Sequence, residues 1–166
     1  MAQDQTLEIL KKAILLESRG RSFYLKVAEQ AEAEAVKQFF EMMAEEEKKH
    51  VATLSDQYKN YQKNNQFAAG ALDDGGEEVA AQVLSERIKG KIAAAGFEAA
   101  AVGAAMAMEE RAIKLYATQA EQANDPQEKA LYEWLAEWER GHLKMLSQID
   151  REITEAVWND NQFWPF

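Results

Sequence analysis

Apolar residues recur every three or four positions along most of the chain, and this spacing predicts amphipathic α-helices. Strand-like alternation is hard to find, and the abundance of Ala, Glu, Lys, Leu and Gln with only two prolines also favours helix. We therefore predict an all-α fold with four long helices. They span about Thr6 to Ala31, about Ala33 to Asn60, about Phe97 to Gln122 and about Pro126 to Trp158.

The start of the fourth helix is the best marked boundary. Asp125 is a suitable N-cap, Pro126 fits the first helical position, and Glu128 is placed to complete a capping box. Residues 64–96 are richer in glycine and form a long crossover connection, within which 77–88 could add a short helix. We treat 1–166 as one domain, with a first hairpin over about 6–63, a second over about 97–158 and an aromatic tail over 159–166.

The two hairpins resemble each other in sequence. Residues 13–57 laid over 105–149 give sixteen identities without a gap. Matched pairs include Glu17 with Glu109, Tyr24 with Tyr116, Arg19 with Arg111, Glu47 with Glu139 and His50 with His142. Two similar hairpins in tandem predict a four-helix bundle with internal pseudo-two-fold symmetry, and the long crossover lets their apolar faces meet.

Acidic residues interrupt the apolar stripe of every helix. Glu17 lies on the stripe of the first helix and Glu109 on that of the third, while Glu47 with His50 and Glu139 with His142 interrupt the other two. Four carboxylates that converge in a core of low dielectric repel one another and cannot all stay ionised. Two divalent cations between them would balance the charge.

Known bundles that hold two iron or manganese ions use one Glu from each of two helices and a Glu-x-x-His from each of the other two. Residues three apart share a helix face, so both side chains of such a motif reach one ion. A lone Glu-x-x-His in a Glu-rich helix is usually a surface pair, but here both histidines of the chain carry it at repeated positions. We predict six ligands, of which Glu47 and Glu139 bridge the two ions. The six are Glu17, Glu47, His50, Glu109, Glu139 and His142.

The patterns Glu17-x6-Tyr24 and Glu109-x6-Tyr116, each followed by Glu-x-x-His, resemble the rubrerythrin branch of the ferritin-like superfamily over most of residues 8–155. The resemblance implies a ferritin-like bundle with a non-haem di-iron centre that reacts, when reduced, with hydrogen peroxide or dioxygen. It also implies a homodimer. Zinc or manganese in place of iron is the alternative for either position.

The chain departs from that family in two ways. Rubrerythrins usually append a four-cysteine iron domain that supplies electrons, whereas this chain has no cysteine, so we expect an external electron donor. Rubrerythrins also carry a further metal-binding glutamate one turn from the third-helix ligand, where this chain has Met106 and Ala112. These departures keep open a metal-binding or iron-storage protein without redox turnover. The remaining alternative is a bundle without metal.

Composition narrows the partners and the location. The formal net charge of −10 gives no electrostatic footprint for nucleic acid or anionic membranes. No apolar run is long enough to span a membrane and the N-terminal residues lack a signal-peptide pattern, so a cytoplasmic location is expected. The absence of cysteine excludes disulfides and thiolate metal sites, which leaves oxygen and nitrogen as metal donors.

Other features have expected roles outside the ligand set. We expect Tyr24 and Tyr116 to hydrogen-bond a ligand carboxylate of the opposite hairpin. We expect Arg19 and Arg111 to form surface or inter-helix salt bridges. The charged run 45–49 is interpreted as a solvated face from which only Glu47 points inward. Trp134 and Trp138 are assigned to packing, and the tail to packing on the bundle or another subunit, with a docking peptide as the alternative.

Overall fold

A computed structural model describes residues 2–70, 72, 86–88, 91–92 and 96–161, with the side chains of 160 and 161 left aside. Four helices account for most of this part of the chain. They are α1 (Ala2–Gln30), α2 (Glu34–Asn64), α3 (Phe97–Gln122) and α4 (Pro126–Asn161). The prediction of an all-α helical bundle is confirmed, and the described residues include no strand.

Helix ends show where local sequence signals sufficed. Both boundaries of α3 and the start of α4 agree with the prediction, and the Asp125 carboxylate accepts a 2.8 Å hydrogen bond from the backbone N–H of Gln127. The second hydrogen bond of a capping box, in which the Glu128 carboxylate would accept from the backbone N–H of Asp125, is absent among the described residues. Helix α2 runs four residues further than predicted, to Asn64, and Asn65 closes it in a left-handed conformation with φ 54°.

The helices pack as two hairpins. Helix α1 lies along α2, α3 lies along α4, and α1 also meets α3. Buried apolar side chains form two clusters, one at each end of the bundle. Phe40, Val102 and Leu146 belong to the first cluster, whereas Leu10 and Leu135 belong to the second. A layer of buried polar residues separates the two clusters.

The order in which each helix passes the two clusters gives its direction. Helices α2 and α3 both begin in the first cluster and end in the second, so they run the same way. The connection between them must therefore return along the length of the bundle. Phe67 packs in the second cluster and Ile88 in the first, which marks the two ends of this return.

Some expectations fall on residues outside this description. Most of the short helix expected over 77–88 and the aromatic residues Phe163, Trp164 and Phe166 lie outside the described residues. Within the described ranges, no helix combines the length and the apolar composition that crossing a membrane would require.

Candidate metal centre

The polar layer in the middle of the bundle contains all six residues predicted as ligands. Each is at most 3% exposed. The helical period places these six side chains in the core, because each glutamate or histidine takes an apolar position on the stripe that faces the other helices. One glutamate comes from each of α1 and α3, and a Glu-x-x-His comes from each of α2 and α4.

The ligand atoms form two groups that share two residues. In the first group, ligand atoms of Glu17, Glu47, His50 and Glu139 all lie within 4.8 Å of one another. The second group meets the same limit with Glu47, Glu109, Glu139 and His142. Glu47 and Glu139 belong to both groups, so they are placed to bridge two ions, and the other four residues each belong to one group.

Both histidines face the carboxylates with the same ring atom. His50 Nδ1 lies 2.9 Å from Glu139 Oε1 and 3.3 Å from Glu17 Oε2. His142 Nδ1 lies 3.1 Å from Glu139 Oε2 and 3.4 Å from Glu109 Oε1. The two rings are stacked with centroids 6.1 Å apart. Each Nδ1 thus points at the space between the carboxylates, and each Nε2 points away from it.

These donors fit a pair of divalent transition-metal ions. Four carboxylates and two imidazoles are oxygen and nitrogen ligands that suit iron, manganese or zinc. Glu139 Oε1 is buried and, despite its 2.9 Å distance from His50 Nδ1, accepts no hydrogen bond of suitable geometry among the described residues. A buried carboxylate oxygen without a donor is costly unless a cation is its partner.

A tyrosine of each hairpin holds a glutamate of the other. The Tyr24 hydroxyl donates to Glu109 Oε1, and the Tyr116 hydroxyl donates to Glu17 Oε1. These are the cross-hairpin hydrogen bonds expected from the sequence. Burial raises the pKa of both tyrosines well above the usual range, and the facing glutamates add to the shift, so the hydroxyls remain donors.

Each tyrosine is also held by an aromatic ring on the other helix of its own hairpin. Tyr24 stacks on Phe40 at 6.0 Å, and Tyr116 stacks on Tyr132 at 6.2 Å. Phe40 and Tyr132 are matched positions of the repeat. The Tyr132 hydroxyl is buried without a hydrogen-bond partner among the described residues, so only its ring contributes to this packing.

Without metal, the carboxylates divide into two kinds. Burial, and then repulsion from Glu47 and Glu139, raise the pKa of Glu17 well above its usual value. Burial and Glu139 do the same to the pKa of Glu109. Both shifts favour the protonated form of these glutamates when no cation is present.

The bridging carboxylates and the histidines shift the other way. Burial alone would raise the pKa of Glu139, but His50, a hydrogen bond from Glu109 and His142 together hold it well below the usual range. The pKa of Glu47 is lowered against burial by hydrogen bonds from Glu17 and the histidines. Burial works against the charge of His50 and His142, yet Glu139 raises the pKa of both well above 6.5. Without metal, these shifts favour protonated histidines beside ionised bridging carboxylates.

One buried carboxylate escaped the sequence analysis. Glu46 was interpreted as part of a solvated face, and this is wrong: it is 3% exposed, and its Oε2 accepts a hydrogen bond from His142 Nε2. Glu46 lies about 100° around the helix from Glu47. Its carboxylate meets His142 of α4, a contact between helices that the apolar stripe of α2 alone does not reveal.

The outer nitrogen of His50 has different surroundings. Its ring meets Trp134 and Trp138 edge to face, with centroids 5.4 and 5.7 Å away, and its Nε2 has no hydrogen-bond partner among the described residues. The predicted packing role of both tryptophans agrees with these contacts, and the residue on which they pack is His50, a candidate ligand. Trp138 precedes Glu139 as Glu46 precedes Glu47, so the two stand at matched positions of the repeat.

A cavity of about 410 Å³ gives access to the carboxylates. Residues of α1 and α3 form most of its wall, and Glu47 and Glu139 are reached at its buried end. Arg19 and Arg111 line its exposed side. The salt bridges expected for these arginines are not present in the part of the chain that the structure describes.

Comparison with known proteins agrees with this site. A family model described as Rubrerythrin matches residues 8–150. A solved structure described as a hypothetical protein from Pyrococcus furiosus is 25% identical, with a TM-score of 0.63, over 93% of this chain and 94% of that chain. The search of curated proteins returns no match.

The tyrosine hydrogen bonds predict a contrast between three Tyr→Phe variants. We expect Tyr24→Phe and Tyr116→Phe each to lower the free energy of unfolding of the metal-free protein by about 1–3 kcal/mol, because a buried glutamate loses its donor. Tyr132→Phe is the matched control, since its hydroxyl has no hydrogen-bond partner among the described residues and phenylalanine stands at the equivalent position 40. Urea denaturation measures all three, and equal losses would contradict the assigned roles.

The pKa shifts predict that metal binding releases protons. One proton each from Glu17, Glu109, His50 and His142 gives about four per pair of divalent ions near neutral pH. Because protons compete with metal for these atoms, affinity should fall as the pH falls. Calorimetry of zinc binding in buffers of different ionisation enthalpy measures the number. A release close to zero would contradict the raised pKa values of these four groups.

Proposed function

Since the chain belongs to the rubrerythrin family, we propose that it is a non-haem di-iron protein whose reduced centre reacts with hydrogen peroxide or dioxygen. The observation that carries this proposal is the pair of ligand groups that share Glu47 and Glu139. Two ions held by common carboxylates act on one small oxidant together. The proposed role is that of a peroxidase or ferroxidase in protection against oxidants or in iron handling.

Each residue of the centre has a distinct task in this proposal. Glu47 and Glu139 would hold both ions, Glu17 with His50 would complete one position, and Glu109 with His142 would complete the other. Two bound ferrous ions would supply one electron each, which with two protons reduces hydrogen peroxide to two water molecules. Tyr24 and Tyr116 keep the terminal glutamates in place through their hydroxyl groups.

The protein surroundings control access to the centre. The apolar clusters on both sides of the polar layer exclude water from the ends of the bundle. The cavity between α1 and α3 is the proposed route for the oxidant, since it reaches Glu17, Glu109 and the bridging glutamates. No cysteine is present to carry electrons within the chain, so the proposed electron donor is a separate molecule. The proposed assembly is a homodimer.

The function predicts stoichiometric iron and a fast reaction with oxidant. We expect anaerobically loaded protein to bind about two ferrous ions per chain. Mixing with hydrogen peroxide, and separately with dioxygen, should oxidise them faster than free ferrous ion, which stopped-flow absorption follows. The double variant Glu47→Ala/Glu139→Ala should lose both properties. Its control is Glu45→Ala/Glu137→Ala, which removes two exposed carboxylates at matched positions two residues earlier.

Other outcomes separate the alternatives. Two bound ions without accelerated oxidation would favour a metal-binding or iron-storage protein that does not turn over. The absence of any metal binding would contradict the metal centre itself and leave a bundle held together by its own hydrogen bonds.

The cavity predicts a separate effect on the rate. A Cβ at Gly20 would lie 3.8 Å from Glu47 Cδ and from Met108 Cε, so Gly20→Ala fits, whereas Gly20→Leu projects further into the cavity. We expect Gly20→Leu to slow oxidation by about tenfold, or about 1.4 kcal/mol of barrier. The iron content is measured alongside the rate, because Glu47, a candidate ligand, is among the nearest neighbours of this position. Gly103→Leu is the control, because that glycine is exposed with nothing within 4 Å. An unchanged rate would exclude this route.

A further inference from the structure

The environments of the two histidines break the symmetry of the repeat. The ligand residues and the tyrosines match between the hairpins, but the position just before each bridging glutamate does not: it is Glu46 in one hairpin and Trp138 in the other. Glu46 contacts His142 from α2, and Trp138 contacts His50 from α4. The same geometry thus brings a carboxylate to one histidine and an indole to the other.

The replacement of Glu46 by Trp138 at the matched position changes the surroundings of the histidine Nε2, the ring nitrogen that points away from the carboxylates. His142 Nε2–H donates to the Glu46 carboxylate, which fixes the ring with Nδ1 directed at the space between the carboxylates. When the ring is neutral, the Nδ1 lone pair would face an ion in that space. His50 Nε2 has no hydrogen-bond partner among the described residues. A carboxylate behind a ligating histidine orients the ring and strengthens it as a donor, and loss of such a partner typically costs about 10-fold to 100-fold in metal affinity.

The negative charge of Glu46 also favours a cation at the metal position beside His142. Glu46 is 3% exposed, so its carboxylate is little screened by water. It lies next to the group formed by Glu47, Glu109, Glu139 and His142. Trp138, at the matched place beside His50, has no charge. A divalent cation on the His142 side therefore meets one more nearby acidic residue than a cation on the His50 side.

We propose that Glu46 is a positioning residue that makes the two metal positions unequal, so that the first divalent ion occupies the His142 side. This inference rests on the metal binding in the proposed function. It does not depend on iron oxidation, because zinc, which has no redox chemistry, probes the same ligand atoms.

The chain has only two histidines, and this makes the order of filling measurable. Protein labelled with nitrogen-15 in its histidine rings gives one set of imidazole resonances for each, and the His50→Gln variant assigns them. During a titration of metal-free protein with zinc, we expect the His142 Nδ1 resonance to change below one equivalent. The His50 Nδ1 resonance should change between one and two equivalents.

Substitutions at position 46 test the cause of this order. Glu46→Leu should remove the preference, so that both resonances change in parallel while about two zinc ions still bind. Glu46→Gln keeps an acceptor but not the charge, and should retain part of the preference. Glu45→Gln changes an exposed neighbour and should leave the order as it is. If Glu46→Leu does not fold, Glu46→Gln decides the question: the two resonances should change closer together than in the unsubstituted protein, and an unchanged separation would overturn the inference.

Each contrary result has its own meaning. Parallel filling or His50-first filling in the unsubstituted protein would overturn the inference, as would an unchanged order in both Glu46 variants. A protein that binds no zinc would overturn the inference together with the metal centre. Ordered zinc binding in a protein whose iron does not react with oxidants would contradict only the proposed oxidation.

Discussion

Four carboxylates in one buried layer are the constraint on which the rest of this structure depends. Glu17, Glu47, Glu109 and Glu139 cannot share a core of low dielectric as four negative charges. Two arrangements neutralise them: protons on Glu17, Glu109 and both histidines, or two divalent cations. Either arrangement balances the charge of these four carboxylates, and Glu46 adds a fifth buried acidic residue beside His142. Exchanging four protons for two divalent cations leaves the net charge of the core unchanged.

The bundle is built so that this layer is held from both hairpins. Each tyrosine donates to the terminal glutamate of the other hairpin, and its ring packs on the second helix of its own. The aromatic contacts therefore lie within each hairpin, whereas the tyrosine–carboxylate hydrogen bonds form only where the two hairpins meet. Because α2 and α3 run in the same direction, the long connection is needed to bring the hairpins face to face with their polar layers level.

The convergence of the predicted ligands and the tyrosine hydrogen bonds between hairpins could be predicted from the sequence, because both follow from the helical period and the internal repeat. Whether the six residues bind metal stays a prediction. The burial of Glu46 could not be predicted in this way. It accompanies a contact with His142 of α4, and contacts between helices depend on how the helices pack together. The sequence also did not predict the cavity beside Gly20, or that the Tyr132 hydroxyl has no hydrogen-bond partner among the described residues. Helix ends without a strong cap, such as those of α1, were misplaced by a few residues for the same lack of local signal.

The repeat also separates what builds the centre from what distinguishes its halves. Residues that recur after 92 positions supply the ligands and their tyrosine donors, so they produce two equivalent positions. Any difference between the positions must come from residues that do not recur, and Glu46 and Trp138 are such a pair in contact with the ligating rings. Gly20 and Ala112 are another, on the cavity wall. Unequal neighbours around equal candidate ligands would let one bundle hold two ions with different affinities and, under the proposed function, admit an oxidant from one side.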